Sequence, residues 1–152
     1  MIYIASDHKG FALKEKLLEF FENSNFNVMD LGPSEYDKDD DYVVYAKKLA
    51  KKIGKNDKGI FICGNGSGGT IVCNKFCDVR ASLCVTALMC KQACEHNDIN
   101  VLCLGSEISS PQFSWTIVKT FLESEPLGGK YAKRRDMIKD IEKENFKKIL
   151  WF

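Results

Sequence analysis

The sequence predicts an α/β fold with one parallel sheet of five strands, helices on both faces and a helical arm at the C-terminal end. Short apolar runs alternate with stretches of helical periodicity from end to end. The central run, Gly59–Cys63, is uniformly apolar, as a strand covered on both faces should be. At 152 residues, 45% hydrophobic and 28% charged, the chain has the size and composition of one folded domain.

Ile2-Tyr3-Ile4-Ala5 reads as the first strand. Leu13, Leu17, Phe20 and Phe21 then give the i, i+4, i+7, i+8 stripe of an amphipathic helix. Asn27 to Leu31 is the second strand, ended by Gly32-Pro33. The acidic stretch Glu35–Asp41 reads as a solvated loop that caps the next helix. That helix spans Tyr42 to Ile53, with Val43, Ala46, Leu49 and Ala50 on one face and lysines outside. After strand three, helices at 69–76, 86–96 and 112–123 are separated by strands at Ala81–Val85 and Asn100–Leu104. Successive βα units imply right-handed crossovers, hence a Rossmann-like three-layer αβα sandwich over residues 1–127. Residues 128–152 form the arm, a basic helix after Gly128-Gly129 with Met137, Ile138, Ile141 and Phe146 on its apolar side. Such a helix can be a charged surface arm or can pack on a partner subunit.

A net charge of +1 argues against strong bulk attraction to nucleic acid or to an anionic membrane. No apolar run approaches the roughly 20 residues that span a bilayer. The first residues do not resemble a signal peptide, so a cytoplasmic protein is expected. Seven cysteines then read as free thiols. Cys73/Cys77 and Cys90/Cys94, each spaced i,i+4, raise the question of a four-thiolate zinc site. Their placement in predicted amphipathic helices favours small buried apolar residues instead, and no metal is expected.

Ligands of open parallel sheets sit at the carboxyl ends of the strands, near the point where strand order reverses. Asp7-His8 follows strand one there, Cys63-Gly-Asn-Gly-Ser-Gly-Gly69 strand three, and Ser106-Glu107 strand five. His96-Asn97 ends the helix before strand five, and the reading groups both histidines with these ends. Gly64, Gly66 and Gly69 match G-x-G-x-x-G, but after the third strand rather than the first. No acidic residue occurs between Val79 and Cys94 to hold a ribose, which argues against a dinucleotide site. What remains is a glycine turn at a helix N-terminus, able to hold an anion or a developing oxyanion. At its head the Cys63 thiol is expected to have a lowered pKa and to react first with an alkylating agent.

Asp7-His8-Lys9-Gly10-Phe11, Asp30-Leu31-Gly32, Gly59-Ile-Phe-Ile-Cys63-Gly64, Asn74-Lys75, Arg80-Ala81 and His96-Asn97-Asp98 together resemble the type B ribose-5-phosphate isomerases. That superfamily also includes allose-6-phosphate and galactose-6-phosphate isomerases. The resemblance implies aldose–ketose isomerisation through a cis-enediol, without metal or cofactor. It implies Cys63 as the group that moves a proton between C2 and C1, and Gly64, Asn65, Gly66, Ser67 and Gly68 as the turn around the enediolate oxygen. It further implies His96 as the ring-opening residue, Asn97, Asp7 and His8 as substrate contacts, and Lys130 and Arg134 as the phosphate pair. Members are dimers, often dimers of dimers, whose site is completed by the neighbouring subunit. This chain departs from the pattern at Asn65 for Thr or Ser, Glu107 and Lys130 for Arg, Tyr131 for His, and Val43-Val44 for Pro-Asp. The expected activity is on ribose 5-phosphate and ribulose 5-phosphate, the alternatives being a six-carbon phosphate or a non-catalytic sugar-phosphate-binding protein.

Overall fold

The structure, a computed structural model, describes the backbone of residues 1–149 and the side chains of residues 1–145. Phe146 and the last residues of the arm lie outside the described residues. The elements in chain order are β1 (Ile2–Ser6), α1 (Phe11–Glu22), β2 (Val28–Asp30), α2 (Tyr42–Ala50), β3 (Lys58–Cys63) and α3 (Ser67–Cys73). They continue as β4 (Ala81–Leu83), α4 (Ala87–Asn97), β5 (Val101–Gly105), α5 (Pro111–Glu123) and α6 (Lys130–Ile149). The expected α/β fold is the observed one, an all-parallel sheet in the order β2-β1-β3-β5-β4.

Side-chain alternation explains why the central strands are apolar throughout. Ile4, Ile60, Ile62, Leu102 and Leu104 face one core, shared with Leu13 and Leu17 of α1, Cys90 of α4 and Ile117 of α5. Ala5, Phe61, Cys63, Val101 and Cys103 face the other, shared with Ala46 and Leu49 of α2 and Cys73 of α3. Each face of the pleat is therefore dry, and a one-residue slip of β3 would exchange its residues between two differently shaped cores. The β1–β3 pairing marks the reversal of strand order: the chain leaves β1 toward β2 on one side, then returns to place β3 on the other.

Three local differences from the sequence reading have physical causes. Helix α3 begins two residues earlier than expected, because Gly66 takes a left-handed φ of 80° and starts the helix at Ser67. It also ends at Cys73, where the Asn74 side chain turns away to bond both the N–H and the C=O of Ala81 at 2.9 Å. Cys77 therefore lies in an exposed turn rather than a helix, while Cys73, Cys90 and Cys94 are buried as expected. Helix α6 leans on α4 through Arg135, whose guanidinium donates to His96 O at 3.3 Å and Leu127 O at 2.9 Å. Its Met137, Ile138 and Ile141 remain exposed. No helix among the described residues is long and apolar enough to cross a membrane.

Candidate active site

An open cleft of about 390 Å³ lies at the strand-order reversal, walled by Asp7, His8, Tyr42, Cys63, Ser67 and Glu107. The turns after β1, β3 and β5 are laced together around it. Ser106 N donates to Cys63 O at 2.9 Å, Glu107 N to Gly64 O at 2.9 Å, and Ser106 Oγ to Lys9 O at 2.9 Å. Asp7 N donates to Ile62 O at 3.2 Å, and the Asp7 carboxylate takes Gly10 N at 2.9 Å. Gly10 cannot carry a side chain, since a Cβ would stand 2.3 Å from Ile62 O.

Cys63 ends β3 and is 5% exposed. Burial pushes its thiol pKa up, and the backbone amides of Gly69, Gly66 and Asn65 pull it only part of the way back. The expectation of a lowered pKa is therefore corrected: the cost of burying a thiolate exceeds what the turn's amides return. Burial likewise raises the pKa of Asp7, which is 4% exposed, against the opposing pull of the Gly10 amide and His8. The glycine turn is kept in shape by Asn65, whose Oδ1 accepts from Ser67 N at 3.1 Å and Ser67 Oγ at 2.8 Å. In this chain Asn65 thus braces the turn, the short side chain bonding to the backbone two residues on. Gly68 lies under the Tyr42 ring, which a Cβ would meet at 2.8 Å.

The structure divides the residues singled out in the sequence into two groups. Asp7, His8 and Cys63 with Gly64, Asn65, Gly66, Ser67 and Gly68 meet at the carboxyl ends of β1 and β3. His96 and Asn97 do not join them: α4 runs antiparallel to the sheet and delivers them to the level where β5 begins. Gly59 pairs Val101 there and Cys63 pairs Gly105 at the far end, so about 13 Å of strand separates the two levels at roughly 3.3 Å per residue. Grouping both histidines at one end is thereby corrected within a single chain. The His96 ring instead stacks on Tyr131, centroids 4.3 Å apart and planes at 5°, beside exposed Lys130 and Arg134. Lys130 Nζ stands 5.2 Å from the same Tyr131 ring.

Sequence reasoning missed Tyr42, Lys9 and Asp40 as parts of the site. Tyr42 is the first residue after the Asp41 cap of α2, a position that faces the strand ends, and Lys9 reaches across Gly64 to bond Glu107 at 2.8 Å. The charge reversal at Glu107 is thus met by a lysine from the next turn.

A single thiol at the head of a glycine turn, on the switch point of a parallel sheet, with a separate basic helix end, defines a class of small-molecule enzyme built on an α/β domain. The chain belongs to the ribose/galactose isomerase family, whose profile matches residues 2–138. Among its relatives is a probable ribose-5-phosphate isomerase B of Mycoplasma genitalium, 41% identical over 146 residues that cover 94% of this chain and 96% of the relative. The ribose-5-phosphate isomerase B of Escherichia coli is 34% identical over 143 residues, 93% of this chain and 95% of that protein. The structure of the Mycoplasma genitalium enzyme with bound ribulose 5-phosphate superposes with a TM-score of 0.85 at 40% identity, covering 94% of this chain and 96% of that one. That of ribose-5-phosphate isomerase B from Clostridium thermocellum gives 0.89 at 36%, covering 95% and 98%.

Proposed function

We propose that this protein is an aldose–ketose isomerase that interconverts ribose 5-phosphate and ribulose 5-phosphate, acting in the cytoplasm in pentose phosphate metabolism. The observation that carries the reading is Cys63, a free thiol whose sulfur faces three backbone amides in the cleft beside Asp7 and His8. The Cys63 thiolate takes the proton from C2 of the open-chain aldose, leaving a cis-enediolate. The same sulfur then delivers that proton to C1 while the hydroxyl proton passes from O2 to O1, so no atom or electron is gained or lost. Amides of the Gly64–Gly68 turn stabilise the charged oxygen as it develops. Asp7 and His8 hold the sugar.

His96, Asn97, Lys130 and Arg134 act on the cleft of a second copy, with His96 opening the furanose ring and the two cations holding the phosphate. The working unit in this reading is a homodimer or a dimer of dimers. Support comes from the placement of these residues at the opposite sheet end from Cys63 and from the uncovered Met137, Ile138 and Ile141 on α6. The test is an isomerase assay on purified protein without added metal, with ribose 5-phosphate and allose 6-phosphate compared. Turnover of the pentose phosphate with the higher kcat/KM is expected; turnover of neither sugar would overturn the reading.

A further inference from the structure

The loop between β2 and α2 divides its acidic residues between two tasks. Asp41 caps α2 as expected, accepting from Val43 N at 3.0 Å. Asp40, one residue earlier, turns inward, so the reading of the whole stretch as solvated is corrected at this position. Its side chain is 6% exposed. Its Oδ1 accepts from one residue twice, His8 N at 2.9 Å and His8 Nδ1 at 2.7 Å, across 32 positions of sequence. Its Oδ2 is buried without a hydrogen-bond partner among the described residues. A carboxylate oxygen left bare in the interior is costly unless a cation stands beside it, and an imidazolium on Oδ1 meets that need. The loop is built to present this side chain. Asp40 N bonds Asp37 O at 3.2 Å, Asp39 N bonds Asp37 Oδ1 at 3.0 Å, and the Tyr36 ring packs edge-on against Phe11 of α1.

We infer that Asp40 is a positioning residue of the isomerase, fixing His8 as an Nδ1–H donor so that Nε2 is left to meet an oxygen of the sugar phosphate as a charged donor. This rests on the reading of the cleft as an isomerase site. A carboxylate can only accept, so the ring must donate from Nδ1, and Nε2 is the nitrogen that remains for a ligand. His8 is 26% exposed and lines the cleft, which leaves that nitrogen reachable. The charged and titratable groups around it are Asp7 on its own segment, Asp40 from the loop, Tyr42 from α2, Cys63 from β3, and Lys9 with Glu107 at the cleft mouth. The hydrogen bond to Asp40 raises its pKa most; its partial burial opposes that shift, and Asp7 adds to it.

The chain has two histidines, so their ring resonances can be followed individually by NMR, with His96→Asn identifying which is which. In the wild type His8 should titrate above the ordinary 6.5. Asp40→Asn should bring it down, while Asp40→Glu, which keeps the charge, should hold it up. Added ribose 5-phosphate should move the His8 resonances of the wild type. In steady state, Asp40→Asn should cost kcat/KM roughly 10-fold at neutral pH, and the same change made in His8→Ala should cost nothing further. The inference is overturned if His8 titrates alike in the wild type and Asp40→Asn, or if Asp40→Asn costs as much without His8. A wild type with no isomerase activity would overturn the function proposed above, while the titration would still decide whether Asp40 sets the state of His8.

Discussion

Asp7, His8 and Cys63 are held by the sheet itself, whereas His96, Asn97, Lys130 and Arg134 stand at helix ends with solvent beside them. The first group is set at the ends of strands that are dry on both faces, and three turns are tied to one another by backbone bonds. The second rests on one guanidinium, one ring stack and a bond from Leu127 N to Glu95 O at 2.8 Å. In the isomerase proposed above, the first group is preorganised within the chain, and the second, at the opposite end of the sheet, would be supplied to that cleft by a second protomer. Burial also differs between the two places, disfavouring the charge of Cys63 while Lys130 and Arg134 lie exposed.

The largest effect is expected where the rigid half bears the reaction. Cys63→Ala should keep the fold, since a small side chain leaves a small void, while kcat falls by roughly 10² or more. Deuterium incorporation from heavy water at the transferred carbon should disappear with it. Exchange at the wild-type rate would move the base to Asp7 or Glu107. The division into halves is tested by mixing: Cys63→Ala and His96→Ala, each inactive alone, should on co-expression recover about a quarter of wild-type activity, because half of the randomly formed dimers carry one intact site in two. No recovery, in a mixture shown by mass spectrometry to contain heterodimers, would break the comparison.

A tenfold effect is expected from the hydrated half. Lys130 and Arg134 lie four residues apart on α6 and share a helix face, where both can address one phosphate dianion. Replacing either by Ala should raise KM roughly 10-fold with little change in kcat, the pattern of a contact made equally in ground and transition states. Unchanged KM in both variants would place the anion site elsewhere.

The inner strands β1, β3 and β5 were legible in the sequence because burial on both faces writes itself as an apolar run, the partly exposed edge strands β2 and β4 as short segments between turns, and the helices because of their 3.6-residue periodicity. The switch-point residues followed from topology alone. What periodicity could not carry were facts of depth and direction. Asp37, Asp39, Asp40 and Asp41 look alike in sequence, yet only Asp40 turns to His8. Cys63 at a helix N-terminus invites a lowered pKa, but the sulfur's burial outweighs its amides, and burial of one atom is not written in spacing. His96 falls next to β5 in sequence, and the antiparallel course of α4 is what carries it away from Cys63.

The thiols offer a smaller effect that separates exposure from position. Cys77 is exposed and Cys63 buried, so iodoacetamide should label Cys77 first, reversing the order expected from sequence, with activity retained until Cys63 is reached. Both thiols are shifted up, Cys63 chiefly by burial and Cys77 by burial with Glu142 and Asp78 adding to it. A raised pKa leaves less thiolate at neutral pH. In Cys77→Ser, the modification rate of Cys63 should therefore climb with pH to a midpoint above 9.0, the ordinary thiol value. A midpoint below that value would show that the amides outweigh burial.

The smallest effect is expected at the cleft mouth. Lys9 and Glu107 form an ion pair of 2.8 Å there, with side chains 53% and 58% exposed. Water screens such a pair, and its two charges nearly cancel at the distance of a bound phosphate. Removing one partner should uncover the other with opposite signs. Glu107→Gln leaves Lys9 free to attract the dianion and should lower KM for ribose 5-phosphate, by less than about threefold given the exposure. Lys9→Ala leaves the Glu107 carboxylate facing the phosphate and should raise KM by a similar factor, and both changes should shrink as salt is raised and the screening length shortens. Equal signs for the two variants would mean that the pair acts by shaping the wall over Gly64, where the Lys9 stem lies, rather than through its charge.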